Sequence, residues 1–233
     1  MKKKIIISII SIVMASAVAL LMAMGIYLMT RQPSYWQNKY NEFIIENRSA
    51  KTGQIVFLGD SITDLCPLEN YYSELSLEAY NRGIGGDTTL GVLGRLNVSV
   101  FDINPSKIVL MIGINDINSW RTVAEIAESY NNILSQFKTR LPETQVYCMS
   151  VLPMSDKLLS VVSIDLDERN NMVIVLNDEI KGLAEKKGYC YLDLFSLVAT
   201  GENLLKNELT DDGIHLNDNG FVIWANLVKP YLV

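Results

Sequence analysis

The sequence holds a single histidine, His215, and only three cysteines, Cys66, Cys148 and Cys190, and no acidic residue precedes Glu42. One histidine and three scattered thiols do not make the Cys/His cluster of a transition-metal centre. An odd count also argues against a disulfide framework, and Cys148 and Cys190, set in apolar strand-like runs, read as buried inert thiols. No Gly-Lys-Ser/Thr follows Gly83-Ile84-Gly85-Gly86, and the Gly-x-Gly-x-x-Gly spacing is missing. Neither a phosphate loop nor a dinucleotide fingerprint is present, so no cofactor and no metal is implied. Disorder is excluded by composition, because 49% of the residues are hydrophobic and only 20% are charged.

The net charge of -6 is divided unevenly. Residues 1–40 carry Lys2, Lys3, Lys4, Arg31 and Lys39, which leaves 15 bases against 26 acids in residues 41–233, a charge of -11. Nucleic acid is not an expected partner of such a body, since phosphate binding needs clustered Lys and Arg. The leader instead offers 25 consecutive uncharged residues, Ile5 to Met29. As a helix that run is about 37 Å long, enough to cross a hydrocarbon core of about 30 Å. We expect a membrane anchor in residues 1–30 with a transmembrane helix at about 5–29. The lysines place its amino terminus in the cytoplasm and the body outside. The competing reading is a secreted protein, cleaved near Ala17 after the Ala15-Ser16-Ala17 triplet, which would leave an apolar mature terminus. Residues 31–52 read as a tether with a short amphipathic helix around 35–46.

Beyond residue 53 the chain alternates short apolar runs with amphipathic stretches. Residues 54–58, 79–81, 107–112, 145–152 and 189–192 read as strands, and 69–75, 88–98, 122–140, 165–187 and 218–228 as helices. Asp218 is the expected cap of the last helix and Gly188 the stop of the long one. Such alternation implies parallel strands joined by crossover helices, with helices on both faces of one sheet. Residues 53–233 then form a single α/β domain.

Ligands bind such sheets beyond the carboxyl ends of the strands. Four segments fall there: Gly59-Asp60-Ser61, Gly83 to Asp87, Gly113-Ile114-Asn115-Asp116 and Asp212-Gly213-Ile214-His215. Ester cleavage by a serine needs a hydroxyl, a base, a carboxylate to orient the base, and donors for the oxyanion. Ser61 is the candidate nucleophile, His215 the base and Asp212 its partner, with Asp211 a less favoured orienting acid. Asn115 offers a side-chain amide, and Gly86 an unobstructed backbone amide. Each piece alone reads as a turn or a cap; their order after consecutive strands is what points to chemistry.

Taken together the four blocks resemble the GDSL or SGNH esterases and lipases, and the wording from Gly83 to Thr89 is similar to the platelet-activating-factor acetylhydrolase-like branch. Leu216-Asn217 follows the histidine where many members have proline, and Thr63 stands where an α/β-hydrolase elbow has glycine. The resemblance implies a flavodoxin-like α/β/α sandwich with a five-stranded sheet in the order 2-1-3-4-5. It also implies a Ser61-His215-Asp212 triad, and an oxyanion hole built from the Ser61 amide, the Gly86 amide and the Asn115 side chain. The expected activity is that of a carboxylic ester hydrolase acting on a lipid or an O-acylated carbohydrate. A catalytically idle surface protein that keeps the fold is the alternative.

Asp60 and Trp120 are the candidate substrate contacts. Asp60, Asp87 and Asp116 flank the blocks and read as hydrogen-bond acceptors that fix their loops rather than as catalysts. The long connection 153–166, with Met154, Leu158, Leu159, Val161 and Val162, reads either as a wall of the acyl or leaving-group pocket or as a short helix packed on the body.

Overall fold

A computed structural model describes residues 34–233. The expected transmembrane helix lies outside the described residues, among which no helix is long and apolar enough to cross a membrane.

Five strands, β1 (Ile55–Gly59), β2 (Ala79–Gly83), β3 (Lys107–Met111), β4 (Gln145–Met149) and β5 (Cys190–Leu192), pair in parallel in the order β2-β1-β3-β4-β5. Residues Ile55 to Gly59 of β1 stand level with Ala79 to Gly83 on one side and Lys107 to Met111 on the other. Helices cover both faces, so the inner strands are apolar throughout rather than alternating. The period of two shows instead in which core each side chain joins. Val56, Leu58, Ile108, Leu110, Val146 and Cys148 enter one cluster, while Ile55, Phe57, Val109, Met111, Tyr147 and Met149 enter the other. Burial pushes the Cys148 thiol up to about 12, which removes its thiolate.

The first core is closed by α4 (Thr89–Leu96), α6 (Val123–Arg140) and α7 (Leu166–Lys187). The second is closed by α3 (Leu68–Tyr72), α8 (Phe195–Val198) and α9 (Asp218–Leu232), with Trp224 only 1% exposed. A capping box of Thr122 and Glu125 starts α6, and Gly188, at φ 76°, ends α7 in the left-handed conformation. The cap of α9 is Asn217, whose side chain accepts from the Gly220 N–H at 3.2 Å; the expected cap, Asp218, is one residue inside. The same helix runs through Pro230 to Leu232 rather than stopping at 228.

The helix expected in the tether is α1 (Tyr35–Glu46). From Lys39 onward the chain belongs to one compact unit with the body, and Phe43 is buried. Two one-turn helices, α2 (Ser61–Asp64) and α5 (Ile114–Asn118), follow β1 and β3 and were not expected from the sequence.

Candidate active site

Because β1 is flanked by β2 and β3, its carboxyl end opens at the switch in strand order, where an α/β sheet leaves a crevice. The chain turns there through Asp60 into α2, and the Asp60 carboxylate accepts from the Ile62 N–H at 3.0 Å. The α2 turn lies hard against β2: a Cβ on Gly83 would stand 2.1 Å from the Asp64 nitrogen. Gly86 is glycine for another reason, since its φ of 77° disfavours an L side chain although the space beside it is open.

The loop before α9 brings the single histidine to this turn from 154 residues away. His215 Nε2 lies 2.8 Å from Ser61 Oγ, and His215 Nδ1 lies 2.6 Å from Asp212 Oδ2. With a carboxylate against Nδ1, the proton belongs on that nitrogen, and Nε2 is left to accept from the serine hydroxyl. The other Asp212 oxygen accepts from the N–H groups of Ile214 and His215, each at 2.9 Å. Partial burial raises the Asp212 pKa, but the hydrogen bonds from the His215 ring and from these two amides outweigh it and hold the group down at about 2. Asp211 faces away, with its carboxylate 3.5 Å from the Asn217 side chain.

Two ion pairs with buried carboxylates hold the neighbouring loops. Asp116 accepts from the Thr89 N–H at 2.8 Å and the Thr89 hydroxyl at 2.6 Å, and it pairs with Arg121. Arg95, which has no solvent exposure, reaches the Asp87 carboxylate at 2.7 Å, the Arg82 and Gly59 carbonyls at 2.9 and 2.8 Å, and Ser99 Oγ at 2.8 Å. It therefore ties the ends of β1 and β2 to the loop that carries Gly86. Asn115 Nδ2 donates to the Asp87 carbonyl at 2.9 Å, which fixes the amide and leaves its second N–H for another acceptor.

A family model for the GDSL-like lipase/acylhydrolase family matches residues 57–222, from β1 into α9, and so spans Ser61, Gly86, Asn115, Asp212 and His215. The chain belongs to that family. Human platelet-activating factor acetylhydrolase IB subunit alpha2 is 34% identical over 125 residues, 52% of this chain and 53% of that protein. The chain thus spans about half the length of the curated relatives it matches. A solved structure from Streptococcus pneumoniae, provisionally described as a platelet activating factor, covers 94% of this chain and 99% of its own at 27% identity and a TM-score of 0.77. An acetylxylan esterase from Geobacillus stearothermophilus, 19% identical with a TM-score of 0.62, covers 78% and 95% respectively and shares the fold.

Of the two residues expected as substrate contacts in this GDSL-like protein, Asp60 is buried. At 1% exposure its carboxylate fixes the loop from inside by accepting from the Ile62 N–H. Burial, reinforced by the Asp87 and Asp116 charges, raises its pKa to about 7 against the pull of the Ile62 amide and of Arg95. A carboxyl whose folded pKa is raised contributes stability that is fully present below the unfolded value near 4 and is lost as the pH rises toward 7. Asp60→Asn, which keeps the acceptor for Ile62, is therefore expected to flatten the urea midpoint between pH 4 and 7; an unchanged pH profile would refute this titration.

Trp120, in contrast, is 75% exposed at a left-handed φ of 63°, with its ring 3.7 Å from the guanidinium carbon of the buried Arg169. Trp120, Leu159, Ile164 and Leu166 line one groove of about 720 Å³, together with Asp156, Asp165 and Asp167. The 153–166 connection contains a short 3-10 helix, Asp156–Ser160, with Leu158 and Met154 buried and Leu159, Val161 and Val162 exposed.

Proposed function

We propose that the protein is a serine carboxylic ester hydrolase acting on short-chain, acetyl-type esters of a lipid or a carbohydrate. The observation that carries this reading is the continuous hydrogen-bonded line from Asp212 through His215 to Ser61. In the reaction, His215 Nε2 takes the Ser61 proton as Oγ attacks the ester carbonyl. Asp212 holds the imidazole and stabilises the imidazolium that forms. The tetrahedral oxyanion rests on the Ser61 and Gly86 amides and on the free N–H of Asn115. Collapse expels the alcohol, which leaves with the proton from His215, and water attacks the acyl-serine by the same route in reverse roles.

Trp120 and the groove beside it receive part of the ester in this proposal, because an exposed aromatic on a fixed cation offers a flat apolar face. The leader holds the protein at a membrane through residues 5–29, with the catalytic body on the extracytoplasmic side; the sequence pattern alone supports that placement.

The direct test is hydrolysis of p-nitrophenyl acetate, with and without chelator, by the full chain. Activity that disappears on chelation would overturn a metal-free serine mechanism. Within it, Asn115→Ala is expected to lower kcat by about 10² to 10³ with little change in KM, since its free N–H acts on charge that appears in the transition state. Full activity in that variant would remove Asn115 from the oxyanion hole.

A further inference from the structure

Trp120 stands in a conformation that its side chain disfavours. Its φ of 63° lies in the left-handed region that bulky residues avoid, and its ring is held out in water. A residue stays in such a conformation only where its surroundings fix it, and strain of that kind gathers where a protein meets its ligands. Here the fixing groups are explicit. The Trp120 N–H closes a turn onto the Ile117 carbonyl at 3.1 Å, and the same carbonyl accepts from the Arg169 guanidinium. The guanidinium carbon also lies 3.7 Å from the centre of the Trp120 ring, so one side chain of α7 holds both the main chain of the turn and the ring. Beyond the turn, the Arg121 N–H donates to the Asp116 carbonyl at 3.2 Å and its side chain pairs with the Asp116 carboxylate.

Arg169 is a costly filler for this space. It is 2% exposed, and no carboxylate among the described residues lies within ion-pair distance of it. A buried cation without a paired carboxylate is less favourable than an apolar side chain of similar volume. What the guanidinium supplies, and methionine would not, is the grip on Trp120. The next residue of α7 fixes another wall of the groove: Asn170 accepts from the Met154 N–H at 2.8 Å and donates to the Met154 carbonyl at 2.9 Å. From there the chain meets the catalytic loop, with the Ser155 N–H 2.8 Å from the carbonyl of Gly213, between Asp212 and His215. We infer that Arg169 is a positioning residue, which sets the Trp120 ring as the contact for the alcohol half of the ester. This rests on the proposed serine mechanism, in which His215, on the loop beside the groove, returns the proton to the leaving alcohol. Asn115 and Asp116 keep their own partners, the Asp87 carbonyl and the Thr89 hydroxyl, so the oxyanion donor does not depend on Arg169.

The test compares two acetates with the full chain: p-nitrophenyl acetate, whose alcohol is flat and aromatic, and ethyl acetate, whose alcohol is small. Trp120→Ala and Arg169→Met are each expected to raise KM for p-nitrophenyl acetate about tenfold with kcat within about twofold, and to leave KM for ethyl acetate within about twofold. The double variant is expected to match Trp120→Ala, because Arg169 acts through that ring. Additive losses, or equal losses on the two acetates, overturn the assignment. Fluorine NMR of the fluorotryptophan-labelled chain supplies a readout besides activity. Of the three tryptophan resonances, Arg169→Met is expected to shift that of Trp120, identified by its loss in Trp120→Phe, and to leave those of Trp36 and Trp224 in place. An unmoved Trp120 resonance overturns the positioning role. Should the methionine variant disturb all three, Arg169→Gln carries the same comparison, since it keeps a donor for the Ile117 carbonyl and lacks the cation beneath the ring. A chain that hydrolyses neither acetate fails the serine reading and takes this assignment with it; one that hydrolyses both with KM unmoved in the variants fails this assignment alone.

Discussion

Ser61→Ala is expected to lower kcat for a soluble ester by a factor on the order of 10⁶, about 8 kcal/mol of transition-state stabilisation, while leaving the fold intact. Ser61 opens α2, where alanine is a better helix former, and its hydroxyl meets the His215 ring at 2.8 Å. Removing the hydroxyl therefore removes the nucleophile and little else. The residual rate comes from whatever the donors and binding supply to attack by water. Steady-state hydrolysis of p-nitrophenyl acetate, corrected for the buffer rate, reads the effect. Activity within tenfold of the unaltered protein would mean that the ester is cleaved elsewhere or by another group.

The two adjacent acids give the second large contrast. Asp212→Asn is expected to cost about 10⁴ in kcat, because an amide against Nδ1 holds the imidazole in the wrong tautomer. Asp211→Asn is expected to stay within about tenfold, like other surface changes away from the reacting groups. The geometry is the reason: Asp212 lies 2.6 Å from the ring nitrogen, whereas the Asp211 carboxylate lies 3.5 Å from the Asn217 side chain. With its pKa near 2, Asp212 does not titrate in the range where ester hydrolysis is ordinarily measured. Since that pKa is depressed, the stability it contributes is complete above the unfolded value near 4 and is lost as the pH falls through 2. Equal losses in the two variants would assign the orienting role to the pair.

The strands were legible because burial on both faces makes them short unbroken apolar runs, and the four loops were legible because each carries polar residues just past such a run. The limits fell where local pattern stops deciding the backbone. Residues 150–152 continue β4 in composition, yet the Val151 N–H goes to the Asn177 side chain at 2.7 Å instead of a neighbouring strand. Helix α9 passes Pro230 because Leu232 is buried and the Tyr231 carbonyl accepts from Lys107 and Tyr147, contacts made across the fold. One-turn helices such as α2 and α5 are too short to show a period.

The triad candidates could be chosen in advance because the chain has one histidine and few acids close to it. Its supports could not. Arg95 sits at helical spacing from the buried Thr89 and Val92, and a cation in that stripe was the one available signal of a buried partner. That the partners would be Asp87 and the carbonyls of two different strands depends on how α4 crosses the sheet.

Arg95 has a consequence for how this corner comes apart. One guanidinium engages four acceptors drawn from β1, β2, the Gly86 loop and Ser99 just beyond α4, and it is sealed from water. Releasing any one of them alone gains nothing, since the vacated donor stays in a dry interior. The corner is consequently expected to have no cheap partial opening: its amides should exchange with those of the deepest core, and the mouth should lose its shape only when the whole sheet does.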